Sequence, residues 1–112
     1  MQSSVVRAES REKTMKKIKI RERRVAVSEA LQEHVEKRVG FALARFGERI
    51  GRVIVRFSTD GGHKCCEIAV DVGKRIVWAE DTDIDLFAAV DHASQRVSRS
   101  VARALARDLE AI

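Results

Sequence analysis

Apolar residues recur with two different periods along this chain, and the switches between them outline six elements. From Met15 to Arg21 the pattern alternates. Ile18 and Ile20 face one way, and Lys17, Lys19 and Arg21 face the other, which predicts a strand with one buried and one basic face. After Val25-Ala26-Val27, Ser28 is a plausible N-cap and Glu29 falls in the first turn, where a helix dipole favours an acid. Leu31, Val35, Val39, Ala42, Leu43 and Phe46 then form a helical stripe that Gly47 stops.

Alternation returns from Arg52 to Ser58, with Val53, Val55 and Phe57 inward and Arg52 and Arg56 outward. Thr59-Asp60-Gly61-Gly62 reads as a turn. Lys64 to Val72 reads as a third strand, carrying Cys66, Ile68, Val70 and Val72 on one face. Gly73-Lys74 turns the chain into a fourth strand, Arg75 to Ala79, which places Trp78 on the outer face. Glu80 to Asp83 is read as an acidic lead-in to the last helix, with Asp83 as its N-cap.

That last helix dominates the chain. Leu86, Ala89, Val90, Ala93, Val97, Val101, Leu105 and Leu109 recur at spacings of three and four. Arg96, Arg99, Arg103 and Arg107 follow the same rhythm, in a band roughly 110° around the helix from the apolar stripe. No acid stands four residues from Arg96, Arg99 or Arg103, so local pairing does not account for them. They line the shoulder of the core, where they could border a groove. A merely solvated arginine face is the alternative.

The predicted fold class is therefore α+β in the order β-α-β-β-β-α. The crossover makes strands one and two parallel, and the short turns make two, three and four antiparallel. Two helices should pack on one face of a four-stranded mixed sheet and leave the other face wet. Residues 1–14 are polar and without sustained periodicity, and are expected to be a disordered leader. Residues 15–112 form one expected domain. Met15 is an alternative start to Met1, because the pattern begins just after it.

Charge narrows the partners. The chain has 112 residues, a net charge of +5 and no proline. The basic balance favours an anionic partner, nucleic acid before a membrane surface. Aromatics at 4% argue against a single-strand binder built on stacking platforms. No apolar run approaches a membrane span and no secretory signal opens the chain, so the cytoplasm is the default location. His34, His63 and His92 sit in separate elements, none at metal-ligand spacing, and Cys65 and Cys66 point to opposite faces of one strand. No metal or cofactor is expected. Without a nucleophile, base and orienter together, neither is an enzyme.

The segment Asp83 to Asp91, D-I-D-L-F-A-A-V-D, followed by a basic helix, resembles the bacterial ribosome hibernation-promoting factor family. That family is also known as ribosome-associated inhibitor or sigma-factor modulation protein. Val25 to Arg38, V-A-V-S-E-A-L-Q-E-H-V-E-K-R, is similar to its first-helix entry, and the likeness spans about Lys16 to Arg107. The resemblance implies a non-enzymatic factor of idle, stressed or stationary-phase cells. It would bind the small ribosomal subunit and block translation by occluding the mRNA/tRNA channel. It points to ribosomal RNA contacts by Arg96, Arg99, Arg103 and Arg107 on the last helix and Lys37 and Arg38 on the first. Arg45 lies near the first helix's end, where the family's spacing varies. No DNA, membrane or small-molecule substrate is implied. Asp108 and Glu110 dilute the charge of a helix end that is usually lysine-rich in the family. Ending at Ile112, the chain resembles a short form without a C-terminal dimerisation domain. The rival readings are a regulatory module acting on a sigma factor and a general binder of double-stranded RNA.

Overall fold

A computed structural model describes residues 18–22 and 25–110. The leader assigned to residues 1–14, the first residues of the predicted opening strand and the chain end lie outside that range. The elements follow the predicted order: β1 (Ile18–Glu22), α1 (Glu29–Leu43), a 3-10 segment (Ala44–Arg49), β2 (Ile50–Asp60), β3 (His63–Val72), β4 (Arg75–Asp83) and α2 (Leu86–Glu110). The four strands form one sheet in the order β1-β2-β3-β4. β1 runs parallel to β2, and the other two pairings are antiparallel. The architecture is the α+β arrangement that the periodicity predicts.

One sheet face is unbroken hydrocarbon and thiol. Val53, Val55, Phe57, Cys66, Ile68, Val70 and Val72 are all buried there. Leu31, Val35, Val39 and Leu43 of α1, and Ala89, Val90, Ala93, Val97 and Val101 of α2, close over it. The side chain of Leu109, assigned to the same stripe, lies outside the described residues. Covering the face removes apolar surface from water, at about 25 cal/mol per Å². On the opposite face Arg52, Arg56 and Trp78 stay exposed, as alternation requires.

Three boundaries differ from the sequence reading. α1 stops at Leu43, and the chain tightens into the 3-10 segment before Gly47 turns it at φ 59°. A residue with a Cβ is strained in that left-handed region. β2 begins earlier than predicted, across a register shift at Gly51 and Arg52. A Cβ on Gly51 would come within 3.1 Å of the Asp71 Cβ, so a bare backbone suits this crossing. β4 runs on to Asp83 instead of ending at Ala79, pairing Glu80 with Glu67 and Asp83 with Lys64. Residues 80–83 are thus strand and not a helix lead-in. Ladder hydrogen bonds to β3 outweigh the low strand propensity of Asp and Glu.

The cap moves with that boundary. Asp85, not Asp83, receives the helix: its Oδ1 accepts from the Phe87 amide at 3.1 Å and its carbonyl from the Ala89 amide at 3.0 Å. Asp83 Oδ1 accepts from the Asp85 amide at 3.0 Å, one step earlier. The D-x-D segment is therefore two successive aspartate turns that swing the chain from strand to helix. Ser28 caps α1 as predicted, its Oγ accepting from the Leu31 amide at 3.1 Å.

Cys66 is sealed in the core, and burial pushes its thiol from near 9 up to about 12. The unfolded chain then loses this proton first as pH rises. The thiol's contribution to stability is constant below pH 9 and declines between pH 9 and 12, by about 1.4 kcal/mol per pH unit. Urea unfolding at pH 8 and at pH 10.5 should show a smaller loss in Cys66→Ala than in the natural chain. An equal loss in both would exclude the thiol as its source.

Candidate nucleic-acid interface

The two helices lie side by side on the sheet, and one carboxylate ties them. Asp91 of α2 accepts from His34 Nε2 at 2.7 Å and forms an ion pair with Arg38, whose Nε is 3.0 Å away; both partners are on α1. His34 also meets the Phe87 ring, centroid to centroid at 5.0 Å. Asp91 and Phe87 stand one helical turn apart, so His34 is held between them. Thus the D-L-F-A-A-V-D run works at both ends: its first aspartate, Asp85, caps α2, and its last, Asp91, anchors α2 to α1.

Beyond Asp91 the helices leave a groove of about 590 Å³, lined by residues that include Arg38, Phe41, Arg45, Asp91, Ser94 and Arg99. Arg45 reaches across it to donate to Ser98 Oγ at 3.2 Å, while its guanidinium lies 4.6 Å from the Phe46 ring centroid. Three guanidinium groups therefore border the groove against one carboxylate that is already held by Arg38 and His34.

The six sequence-nominated residues do not form one cluster. Arg38 and Arg99 meet at this groove. Arg96 turns the other way, its Nε donating to Asp81 Oδ2 of β4 at 2.9 Å. The absence of a partner along α2 is real, but the sheet supplies one that sequence spacing cannot show. Arg103 and Arg107 are exposed on α2, and Arg103 reaches Ser100 Oγ at 3.5 Å. Lys37 is exposed on α1 and does not line the groove. Arg99, Arg103 and Arg107 have no ion pair among the described residues, so their charge is available to an outside anion. Near the end of α2, Asp108 is taken up by Arg75 of β4.

Phe41 was missed by the periodicity argument. It lies off the apolar stripe of α1 and is 85% exposed at the groove. A phenylalanine outside the stripe of an otherwise regular amphipathic helix is the sequence signal that could have found it. Among the described residues, no group of His, Cys, Asp and Glu is placed to hold a metal, and no helix is long and apolar enough to cross a membrane.

A sequence profile of the family described as sigma 54 modulation protein / S30EA ribosomal protein matches residues 18–108. The chain belongs to this family. The match covers both helices and all four strands, so the groove and the arginine band lie within the family's own domain. Among solved structures, the chain is similar to a ribosomal subunit interface protein from Coxiella burnetii. The TM-score is 0.71 at 20% identity, covering 80% of this chain and 97% of that one. It is also similar to the N-terminal domain of Protein Y from Thermus thermophilus. There the TM-score is 0.66 at 29% identity, covering 75% of this chain and 92% of that one. No curated protein matches the chain.

The helix tie has a measurable weight. Asp91 is about one-third exposed, so water screens the bridge. Asp91→Ala should cost about 1 kcal/mol of unfolding free energy, read from urea denaturation. A double-mutant cycle with His34→Ala should give a coupling of roughly 0.5 kcal/mol, and zero coupling would mean that His34 gains nothing from the carboxylate.

Proposed function

We propose that this protein is a non-enzymatic, ribosome-associated factor that binds the small ribosomal subunit and blocks translation by filling the mRNA/tRNA channel. Family membership supports ribosome association, and a matched structure carries the name of a ribosomal subunit interface protein. The observation that carries the RNA contact is the set of Arg99, Arg103 and Arg107, exposed along α2 with no ion pair among the described residues. Guanidinium forks bind phosphates in bidentate fashion, and structured RNA is read largely through its backbone and shape. Occlusion needs a rigid body, and one core buttressed by two capped and bridged helices supplies it. Arg96 is a weaker contributor in this reading, because a phosphate must compete with Asp81 for it.

One observation favours a second reading, a docking module for a sigma factor. Trp78 and Ile76 are exposed on the outer sheet face at 58% and 67%. Ile54 and Ala69 stand in the same cross-strand row as Trp78. An apolar row on a wet face fits a protein contact.

Co-sedimentation with purified small subunits separates the two readings. The natural chain should pellet with the subunits in moderate salt. A variant with Arg99, Arg103 and Arg107 all changed to Ala should bind at least tenfold more weakly. The slope of log K against log salt should be shallower by about two to three, at about one unit per lost phosphate contact. Trp78→Ala should pellet like the natural chain. If the natural chain does not pellet, the ribosome reading fails and the sigma-factor module takes its place.

A further inference from the structure

The groove between α1 and α2 holds two features that a bare phosphate contact does not need. The first is Phe41, whose ring is 85% exposed on the groove rim. The second is Ser94. The residue is 3% exposed and lines the groove, and its Oγ has no hydrogen-bond partner among the described residues. A buried hydroxyl without a partner is costly, and a turn about χ1 that brings it to a ligand in the groove recovers that cost. Ser98 and Gln95 add polar groups beside it, and Arg38, Arg45 and Arg99 stand around it. The groove, about 590 Å³ and open to solvent, has room for one nucleotide.

Resting on the RNA-binding reading above, we propose that this groove receives a single unstacked nucleotide of RNA. Its base lies against Phe41, its edge bonds to Ser94 and Gln95, and its phosphate sits among Arg38, Arg45 and Arg99. Each part of a nucleotide finds its counterpart. A base has a π face that an exposed phenylalanine can stack on, and its edge carries donors and acceptors for a hydroxyl and an amide. The phosphate answers the excess of guanidinium groups over the one carboxylate, Asp91, that His34 and Arg38 already hold. An apolar peptide side chain would cover Phe41 but leave the Ser94 hydroxyl and the guanidinium groups unpaired. A fully paired duplex would offer phosphates but no free base face. The pattern therefore selects an unpaired position within structured RNA, a bulge or a loop.

Fluorescence anisotropy with two labelled RNA hairpins tests this, one fully paired and one carrying a single-nucleotide bulge. The natural chain should bind the bulged hairpin about tenfold more tightly, within the range reported for one base stacked on an aromatic ring. In Phe41→Ala the two hairpins should bind alike. Ser94→Ala, which replaces a buried hydroxyl by a methyl and keeps the helix, should lose part of the preference. Adenosine monophosphate should compete at least a hundredfold more weakly than the bulged hairpin, because it lacks the flanking phosphates. Equal binding of both hairpins by the natural chain, no binding of either, or a preference kept in Phe41→Ala would overturn the proposal. So would adenosine monophosphate competing as well as the RNA, which would assign the groove to a free nucleotide. Co-sedimentation reports separately on the ribosome. A chain that pellets with small subunits yet does not distinguish the hairpins loses only the groove assignment. One that distinguishes them without pellet formation loses only the ribosome.

Discussion

Val53, Val55, Phe57, Cys66, Ile68, Val70 and Val72 make one continuous apolar face, and this face has to be covered. A four-stranded sheet is too wide for one helix, so α1 and α2 share the task and are forced to lie side by side. Their contact is consequently long, and its seam runs along the surface away from the sheet. Asp91 closes that seam at one end through His34 and Arg38. Where the seam is not closed, between Phe41, Arg45, Ser94 and Arg99, it opens into the groove. The candidate binding site is thus a by-product of how the core is covered.

Carboxylates then sort the cations by purpose. Asp81 takes Arg96, Asp91 takes Arg38 and Asp108 takes Arg75, each joining two different elements. These pairs are partly exposed and individually modest in stability. Their larger consequence is positional, because they fix how the helices sit against β4 and against each other. Arg99, Arg103 and Arg107, which have no ion pair among the described residues, face solvent on α2. A chain of net charge +5 therefore uses part of its basicity internally and presents another part along α2.

The outer sheet face is handled differently. Arg56 faces Glu67 at 3.5 Å and Arg52 faces Asp71 at 3.8 Å, so its charges are largely matched across neighbouring strands. Matched charge lowers the field that would draw RNA there, while the Trp78 row stays apolar. The two faces of the domain thus differ in kind: cationic grooves and shoulders on the helix side, a neutralised surface with an apolar row on the sheet side.

Most of the fold was legible in the sequence, because burial imposes period 2 on strands and 3.6 on helices, and both are visible residue by residue. Ile18, Val53, Cys66 and Val97 could be assigned to the core, Trp78 to the outer face and Ser28 to a cap, from pattern alone. Where β4 ended could not, because its last residues are held by pairing with Glu67 and Lys64 on another strand, against their own propensity. The cap followed that boundary from Asp83 to Asp85. The arginine band was likewise readable as a band, since its spacing is local. Only the tertiary structure decided that Arg96 belongs to Asp81, fifteen residues away, and that Arg38 and Arg99 from different helices border one groove. Phe41 and Ser94 join them for the same reason: proximity across a helix seam depends on how two helices pack, and no one-dimensional period encodes it.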